Sequence, residues 1–309
     1  MNICPITYQN CGEEKYSKGG LNLLSKNLDT LNDLPFTQEE QVHEAAMRAD
    51  KMSIQGVQPK LSARFNRAAK VFELADQGGT YILKPENTLY PELPANESLT
   101  MKLASLSGIE VPFNGMVYSK DGRFTYFIKR FDRYGRNKKY SLEDFAQLAG
   151  ESRDTKYDYT MEKLADIISR FCTFPAIEKI KLFRLTLFNF LTGNEDMHLK
   201  NFSLITRDEK TELSPAYDLL NTTIALKNAK EEIALPIMGK KNNLSGKIFT
   251  EYFAKERLNL NEAIISRELE ILFNSWKSWE DIIQISFLSE KMKEKYISLI
   301  HERGSRLGF

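Results

Sequence analysis

The segment that most constrains this chain runs from Ala176 to Phe202. From Ala176 to Leu191, apolar residues fall on most faces of a helical repeat, which predicts a helix enclosed on nearly all sides. Such a helix needs a substantial domain around it, and 309 residues suffice for one large domain or two lobes. The helix stops at Thr192-Gly193. Asn194, Glu195, Asp196, His198 and Asn201 then crowd a junction before a short apolar strand predicted at Phe202–Ile205. Polar groups gathered between two buried elements cost free energy unless they are paired or used.

The patterning on either side of this junction differs. Thr37-Gln-Glu-Glu40 ahead of Val42, Ala45, Ala46 and Ala49 matches a capping box that opens an amphipathic helix. A glycine-containing loop follows around Gly56. Ser62–Leu74 and Thr80–Lys84 read as β runs parted by Gly78-Gly79, and Pro85–Pro94 as a loop. Residues 96–107 form the one helix of this region, capped by Asn96 and closed by Gly108. Val111–Val117 and Phe124–Phe131 then read as strands around Asp121-Gly122. After Asp132, helical periods are expected at 141–149, 160–173, 176–191, 268–276 and Ile282–Arg303, with a strand at Glu232–Leu235. Met47, Phe183, Phe188 and Phe190 are assigned to the core. A β-rich first half and a mainly helical second half predict an α+β chain of two lobes, 1–131 and 132–309, hinged near 129–136.

Composition removes several functions from consideration. Lys and Arg number 43 against 42 Asp and Glu, a net charge of +1, so no global field draws the chain to nucleic acid or an anionic membrane. Cys4, Cys11 and Cys172 are too few and too irregular for a disulfide framework, and the Cys4–Cys11 spacing is wider than a zinc-ligand pair. The first residues lack the pattern of a signal peptide, and no apolar run has membrane-spanning length. A cytoplasmic location is expected.

The chemistry is carried by Asp196 and Asn201, which have the D-x-x-x-x-N spacing of a phosphotransferase loop. One carboxylate sits beside the acceptor hydroxyl, and an uncharged oxygen donor a few residues on reaches a magnesium ion. Asp218, in Leu213-Ser-Pro-Ala-Tyr-Asp-Leu, follows at the distance of a short strand pair and suits a second metal ligand. Singly, each of these residues is more often a turn or capping residue; the joint spacing points to phosphoryl transfer. Upstream, Lys84 closes the apolar strand Thr80-Tyr-Ile-Leu-Lys and suits a phosphate contact. Glu97 either pairs with Lys84 or favours the dipole of its own helix. Ser53-Ile-Gln-Gly-Val-Gln-Pro-Lys60 has one glycine and is no Walker loop, yet a polar loop between helix and strand can offer backbone N–H groups to phosphate.

These motifs, in this order from about Met52 onward, resemble those of HipA-like serine/threonine kinase toxins. S-I-Q-G-V-Q-P-K resembles the family's phosphate loop, Y-I-L-K its nucleotide lysine strand and F-I-K-R-F-D-R its hinge. G-N-E-D-M-H-L-K-N-F and L-S-P-A-Y-D-L resemble its catalytic and metal motifs. The resemblance implies a two-lobed protein-kinase-like fold with Asp196 as base, and Asn201 and Asp218 holding Mg²⁺. It implies ATP contacts from Gln55, Gly56, Val57, Gln58, Pro59, Lys60, Lys84, Lys129, Arg130, Phe131, His198 and Tyr217. Ser53 takes the family's autophosphorylation position. About fifty residues precede the loop, which resembles the compact HipT branch, although Gln55 stands where some compact members carry a second serine.

The family further implies an aminoacyl-tRNA synthetase as substrate, a helix-turn-helix antitoxin and a small HipS-like protein as partners, and DNA contact only through the antitoxin. Two alternatives remain open at the level of residues. Aminoglycoside- and choline-kinase-like enzymes share D-x-x-x-x-N followed by Asp, and a silent, complex-forming pseudokinase would share the fold.

Overall fold

A computed structural model describes residues 1–48, 58–87, 89–135, 137–151, 157–226 and 229–309. The chain is α+β and divides into two compact units. Unit 1 comprises Met1–Leu99, Pro112–Arg133 and Gln284–Leu288; unit 2 comprises Thr100–Val111, Tyr134–Ile283 and Ser289–Phe309.

Unit 1 is built on a curled antiparallel sheet. Its strands are β1 (Leu61–Asn66), β2 (Val71–Leu74), β3 (Tyr81–Lys84), β4 (Asn114–Tyr118) and β5 (Phe124–Lys129), in the order β2-β1-β3-β5-β4. The expected single run Ser62–Leu74 is a hairpin, because the chain reverses at Lys70, whose φ is +54°, and Ala63 comes to lie opposite Leu74. The Asp121-Gly122 turn falls where expected, with Gly122 at φ +77°.

Residues 1–48 contribute to this unit's core. Leu21 and Leu24 of α1 (Lys18–Leu24), with Cys4, Leu31 and Leu34, bury themselves in one cluster with Leu61, Phe72, Leu83 and Phe127 of the sheet. Gly115 permits the contact: a Cβ there would lie 3.0 Å from Ile6 Cα and 3.2 Å from Pro5 O. α2 (Gln38–Arg48) begins in the capping box, Thr37 N donating to Glu40 Oε2 at 2.7 Å. Its buried Gln38 donates to Ser119 Oγ and Phe124 O and accepts from Glu86 N, tying the helix to the β4–β5 turn and to the chain just past β3. Met47, expected in the core, is 67% exposed, since it lies on the outer face of α2.

α3 (Leu93–Leu106) starts three residues before Asn96, which is therefore not a cap but a buried residue of the first turn. Pro94 fits at the second helical position, where no N–H is needed.

A short ribbon of β6 (Arg133–Tyr134), which starts on the last residue of the Pro112–Arg133 stretch of unit 1, and β7 (Lys138–Lys139) precedes β8 (Ser141–Asp144) and α4 (Phe145–Ala149) of unit 2. The helix expected over 141–149 thus occupies only its second half, because Ser141–Asp144 pairs with β9 (Ser203–Arg207). β10 (Lys210–Leu213) completes a sheet of order β10-β9-β8. α5 (Met161–Phe171) and α6 (Pro175–Thr192) follow expectation, and Phe183, Phe188 and Phe190 are fully buried. α6 packs against α5, α8 (Glu262–Trp276) and α10 (Glu290–Leu307), which explains its apolar character on most faces.

Glu232–Leu235 is not a strand. Ile233, Ala234 and Leu235 are buried, but Glu232 N bonds Lys241 O in a turn rather than in a ladder. The expected helix Ile282–Arg303 is two helices, α9 (Trp279–Gln284) and α10, broken before Ser289. The short α7 (Thr222–Ala225) and a π-helix at Ile248–Arg257 complete the unit. Among the described residues, no helix is long and apolar enough to cross a membrane.

Candidate active site

The junction after α6 is fixed by backbone geometry before any charge is considered. Gly193 caps the helix at φ +67°, and a Cβ there would meet Leu299 Cδ2 and Thr223 Oγ1 at 2.5 and 2.7 Å. Thr222 Oγ1 donates to Gly193 O at 3.1 Å and accepts from Glu195 N at 2.7 Å. Thr223 Oγ1 lies 3.0 Å from both Gly193 O and Glu195 Oε1. Buried Asn194 donates to Asn189 Oδ1 and accepts from Asp196 N at 3.1 Å. Asn194 and Glu195 therefore hold the turn, while the Asp196 side chain stays 50% exposed and accessible to a reacting group.

Asp196 and Asn201 are brought together. Asn201 Nδ2 donates to Asp196 O at 2.8 Å, and His198 N donates to the same oxygen at 2.8 Å. Beyond Asn201 the β9–β10 hairpin turns at Asp208-Glu209, at φ +45° and +63°, and places Leu213 opposite Leu204. The chain thus returns, at Leu213, to the end of the hairpin where it left Asn201, and Asp218 follows five residues later in sequence. Tyr217 straps this end, its hydroxyl 2.5 Å from Ser203 Oγ and 3.0 Å from Lys200 O. Burial raises the Tyr217 phenol well above its ordinary value, against the lowering effect of Ser203. Asp218 itself has φ +53°, a left-handed conformation that costs a non-glycine residue about 1 kcal/mol or more and gathers at functional positions.

One residue at this site was not singled out from the sequence. Tyr157 Oη donates to Asp196 Oδ1, and its ring meets His198 edge-on at 5.1 Å. His198 is buried, with Nε2 3.8 Å from Asp196 Oδ1. Burial, then the Asp196 hydrogen bond and charge, raise the Tyr157 phenol, so it remains a proton donor. A tyrosine thirty-nine residues from its partner leaves no local signal in the sequence.

Unit 1 carries the other candidates. Lys84 Nζ lies 2.5 Å from Glu97 Oε1, both side chains are buried, and Lys84 stands 5.5 Å from the centre of the Tyr126 ring. Lys129 ends β5 exposed. Arg130 is drawn into a bidentate pair with Asp132 at 3.0 and 2.8 Å, and its N–H bonds Thr80 O. Phe131 is partly buried. Gln58, Pro59 and Lys60 lead into β1, and Gln58 Nε2 is buried with no hydrogen-bond partner among the described residues. Ser53, Gln55, Gly56 and Val57 lie outside the described residues.

The residues fit magnesium in their donor chemistry. Asn201 commits its nitrogen to Asp196 O, which leaves Oδ1 to face a cation, and Asp218 adds a carboxylate. Among the described residues, no three His, Cys, Asp or Glu cluster to hold a metal. A magnesium ion would draw its other ligands from phosphate and water, as is usual for that ion.

Comparison with known proteins agrees with this architecture. Residues 52–279 match the sequence model of the HipA-like C-terminal domain. A Haemophilus influenzae protein named Putative kinase is 28% identical, over 94% of this chain and 93% of that protein. The Shewanella oneidensis serine/threonine-protein kinase toxin HipA is 29% identical over 60% of this chain. The aligned part spans about half of that toxin's length, 47%. Among solved structures, Shewanella oneidensis HipA in complex with HipB and operator DNA superposes with TM-score 0.69 at 23% identity, covering 95% of this chain and 75% of that one. The Helicobacter pylori proinflammatory kinase CtkA superposes with TM-score 0.57 at 17% identity, covering 82% and 91%. The fold is that of these kinases, a β-rich N-lobe and a mainly helical C-lobe, and the chain belongs to the HipA-like C-terminal domain family.

Proposed function

We propose that this chain is an ATP-dependent protein kinase that transfers the γ-phosphate to a serine of another protein. The observation that carries the reading is the Asp196 turn: its carbonyl is fixed by Asn201 while its carboxylate stays half-exposed. Asp196 orients the acceptor hydroxyl and takes its proton as oxygen bonds to the γ-phosphorus and ADP leaves. Lys84, set by Glu97, holds the phosphates, and Gln58 to Lys60 belong to the loop that covers them. Asn201 and Asp218 would hold a magnesium ion, which when bound would neutralise charge on the phosphates. Lys129, Arg130 and Phe131 take the nucleobase end, with His198 and Tyr217 beside the nucleotide.

We extend the reading to finer parts on the strength of the family resemblance. The chain acts as the toxin of a toxin–antitoxin pair, in the cytoplasm, and phosphorylates an aminoacyl-tRNA synthetase to stop translation. Ser53 is its autophosphorylation site, where a phosphate would repel those of ATP. A HipB-like helix-turn-helix antitoxin binds it, as HipB accompanies the Shewanella protein. The net charge of +1 leaves DNA contact to that partner. The reading extends to a compact HipT-like branch with a HipS-like companion, and to lobes at 1–131 and 132–309.

Phosphoproteome mass spectrometry of cells expressing the chain beside its Asp196→Asn variant tests the activity. A protein serine that gains phosphate only with the unmodified chain is expected. Identical phosphoproteomes would sink the kinase assignment.

A further inference from the structure

The base assigned above already has a hydroxyl on it. Tyr157 Oη donates to Asp196 Oδ1, the contact that a kinase base makes with the group it is about to deprotonate. Two other groups hold the ring there: His198, edge-on at 5.1 Å, and Lys241, whose Nζ lies 5.9 Å from the ring centre and 3.1 Å from Glu231 Oε2. The residue is nevertheless 36% exposed, so the ring can leave without opening the core. Tyr217 shows the structural alternative in the same unit: its hydroxyl is spent on Ser203 Oγ and a backbone carbonyl. Tyr157 instead bonds the half-exposed carboxylate that an acceptor needs.

We propose that Tyr157 occupies the acceptor position on Asp196, so that a serine is phosphorylated only when its hydroxyl displaces the phenol. The proposal rests on Asp196 being the base. Tyr157 then acts as a selector. Water and small alcohols, which bring little binding energy of their own, compete poorly with a tethered phenol. A protein that docks elsewhere on the kinase supplies the energy to swing the ring aside. The step itself is unchanged: the serine oxygen bonds to the γ-phosphorus, its proton passes to Asp196, and ADP departs.

The test uses the full chain with two acceptors, water and casein. Tyr157→Phe is expected to raise ATP hydrolysis without a protein acceptor, and to lower the KM for casein, each by about tenfold, the weight of one hydrogen bond to a charged group. The KM for ATP should stay unchanged. A fall in kcat with the casein KM unmoved would make Tyr157 a positioning residue and overturn the proposal, as would no change in either acceptor. An independent readout comes from the chain labelled with 3-fluorotyrosine, the Tyr157 resonance being assigned by its loss in Tyr157→Phe. In Asp196→Asn this phenol should titrate at lower pH than in the unmodified chain; an unmoved titration removes the contact on which the proposal stands. Failure of the kinase reading looks different: the unmodified chain then turns over no more ATP than Asp196→Asn, whatever Tyr157→Phe does.

Discussion

The Lys84–Glu97 pair gives the sharpest energetic prediction. Both side chains are buried, at 2% and 0% exposure, and their charged atoms are 2.5 Å apart. At an effective dielectric of about 20, unit charges at that separation attract by about 7 kcal/mol. Withdrawing each ion from water costs several kcal/mol, so the intact pair is close to neutral for stability. Removing one partner is another matter, because the remaining charge keeps its desolvation cost and loses the compensation that this partner supplied. Glu97→Gln or Lys84→Met should each destabilise unit 1 by about 3–5 kcal/mol. The double variant Lys84→Met with Glu97→Leu should recover most of that loss while leaving phosphotransfer abolished. Hydrogen exchange of β3 and β5 amides in native conditions reads unit 1 directly. Tryptophan fluorescence does not, since Trp276 and Trp279 both lie in unit 2. A single variant that costs under about 1 kcal/mol, or a double variant as unstable as either single, would refute the treatment of this pair as a buried, mutually dependent ion pair.

Three further outcomes are expected. Gly193→Ala meets both a left-handed backbone and a Leu299 methyl 2.5 Å away, and should cost about 2–5 kcal/mol by urea denaturation followed by tryptophan fluorescence. Gln38→Ala strands the Ser119, Phe124 and Glu86 groups that it bonds, and should lower unit 1 stability by about 2 kcal/mol in the same exchange experiment. Burial raises the Glu232 carboxyl, but hydrogen bonds from Arg306 and Leu244 N more than offset this and hold it below the usual range. A depressed folded value means that the Glu232 contribution is complete above the unfolded pKa, about 4.3, and is lost as pH falls through the folded one. Glu232→Gln should therefore remove part of the acid limb below about pH 4 in thermal melts, and leave its shape above that pH unchanged.

What could be read from the sequence follows the range of the interactions. α6 was legible because enclosure on most faces writes itself as a continuous apolar pattern, and the Thr37–Glu40 box because its bonds span a single turn. Ser141–Asp144 misled because its four residues become a strand only through pairing with β9, some sixty positions on. Ile233–Leu235 misled in the opposite sense: burial produced an apolar run, but the backbone bonds go to a turn. At the site, the residue types and spacing of Asp196, Asn201 and Asp218 were visible. The left-handed backbone of Asp218 was not, and neither was Tyr157, which acts across the fold.

The packing of residues 1–48 separates two kinds of boundary. The recognisable family segment spans 52–279, yet the cluster around Leu61, Phe72 and Phe127 is closed by Leu21, Leu24, Leu31 and Leu34, which lie before it. At the other end, Tyr296 and Ile300 of α10 are buried past its limit, and Tyr296 Oη sits 2.9 Å from Thr100 Oγ1. A fragment trimmed to the homologous stretch would bare a sheet face at one end and a helix groove at the other. It would be prone to aggregate. What is inherited as a motif set is thus smaller than what folds as a body, and the difference is made up by sequence with no catalytic vocabulary.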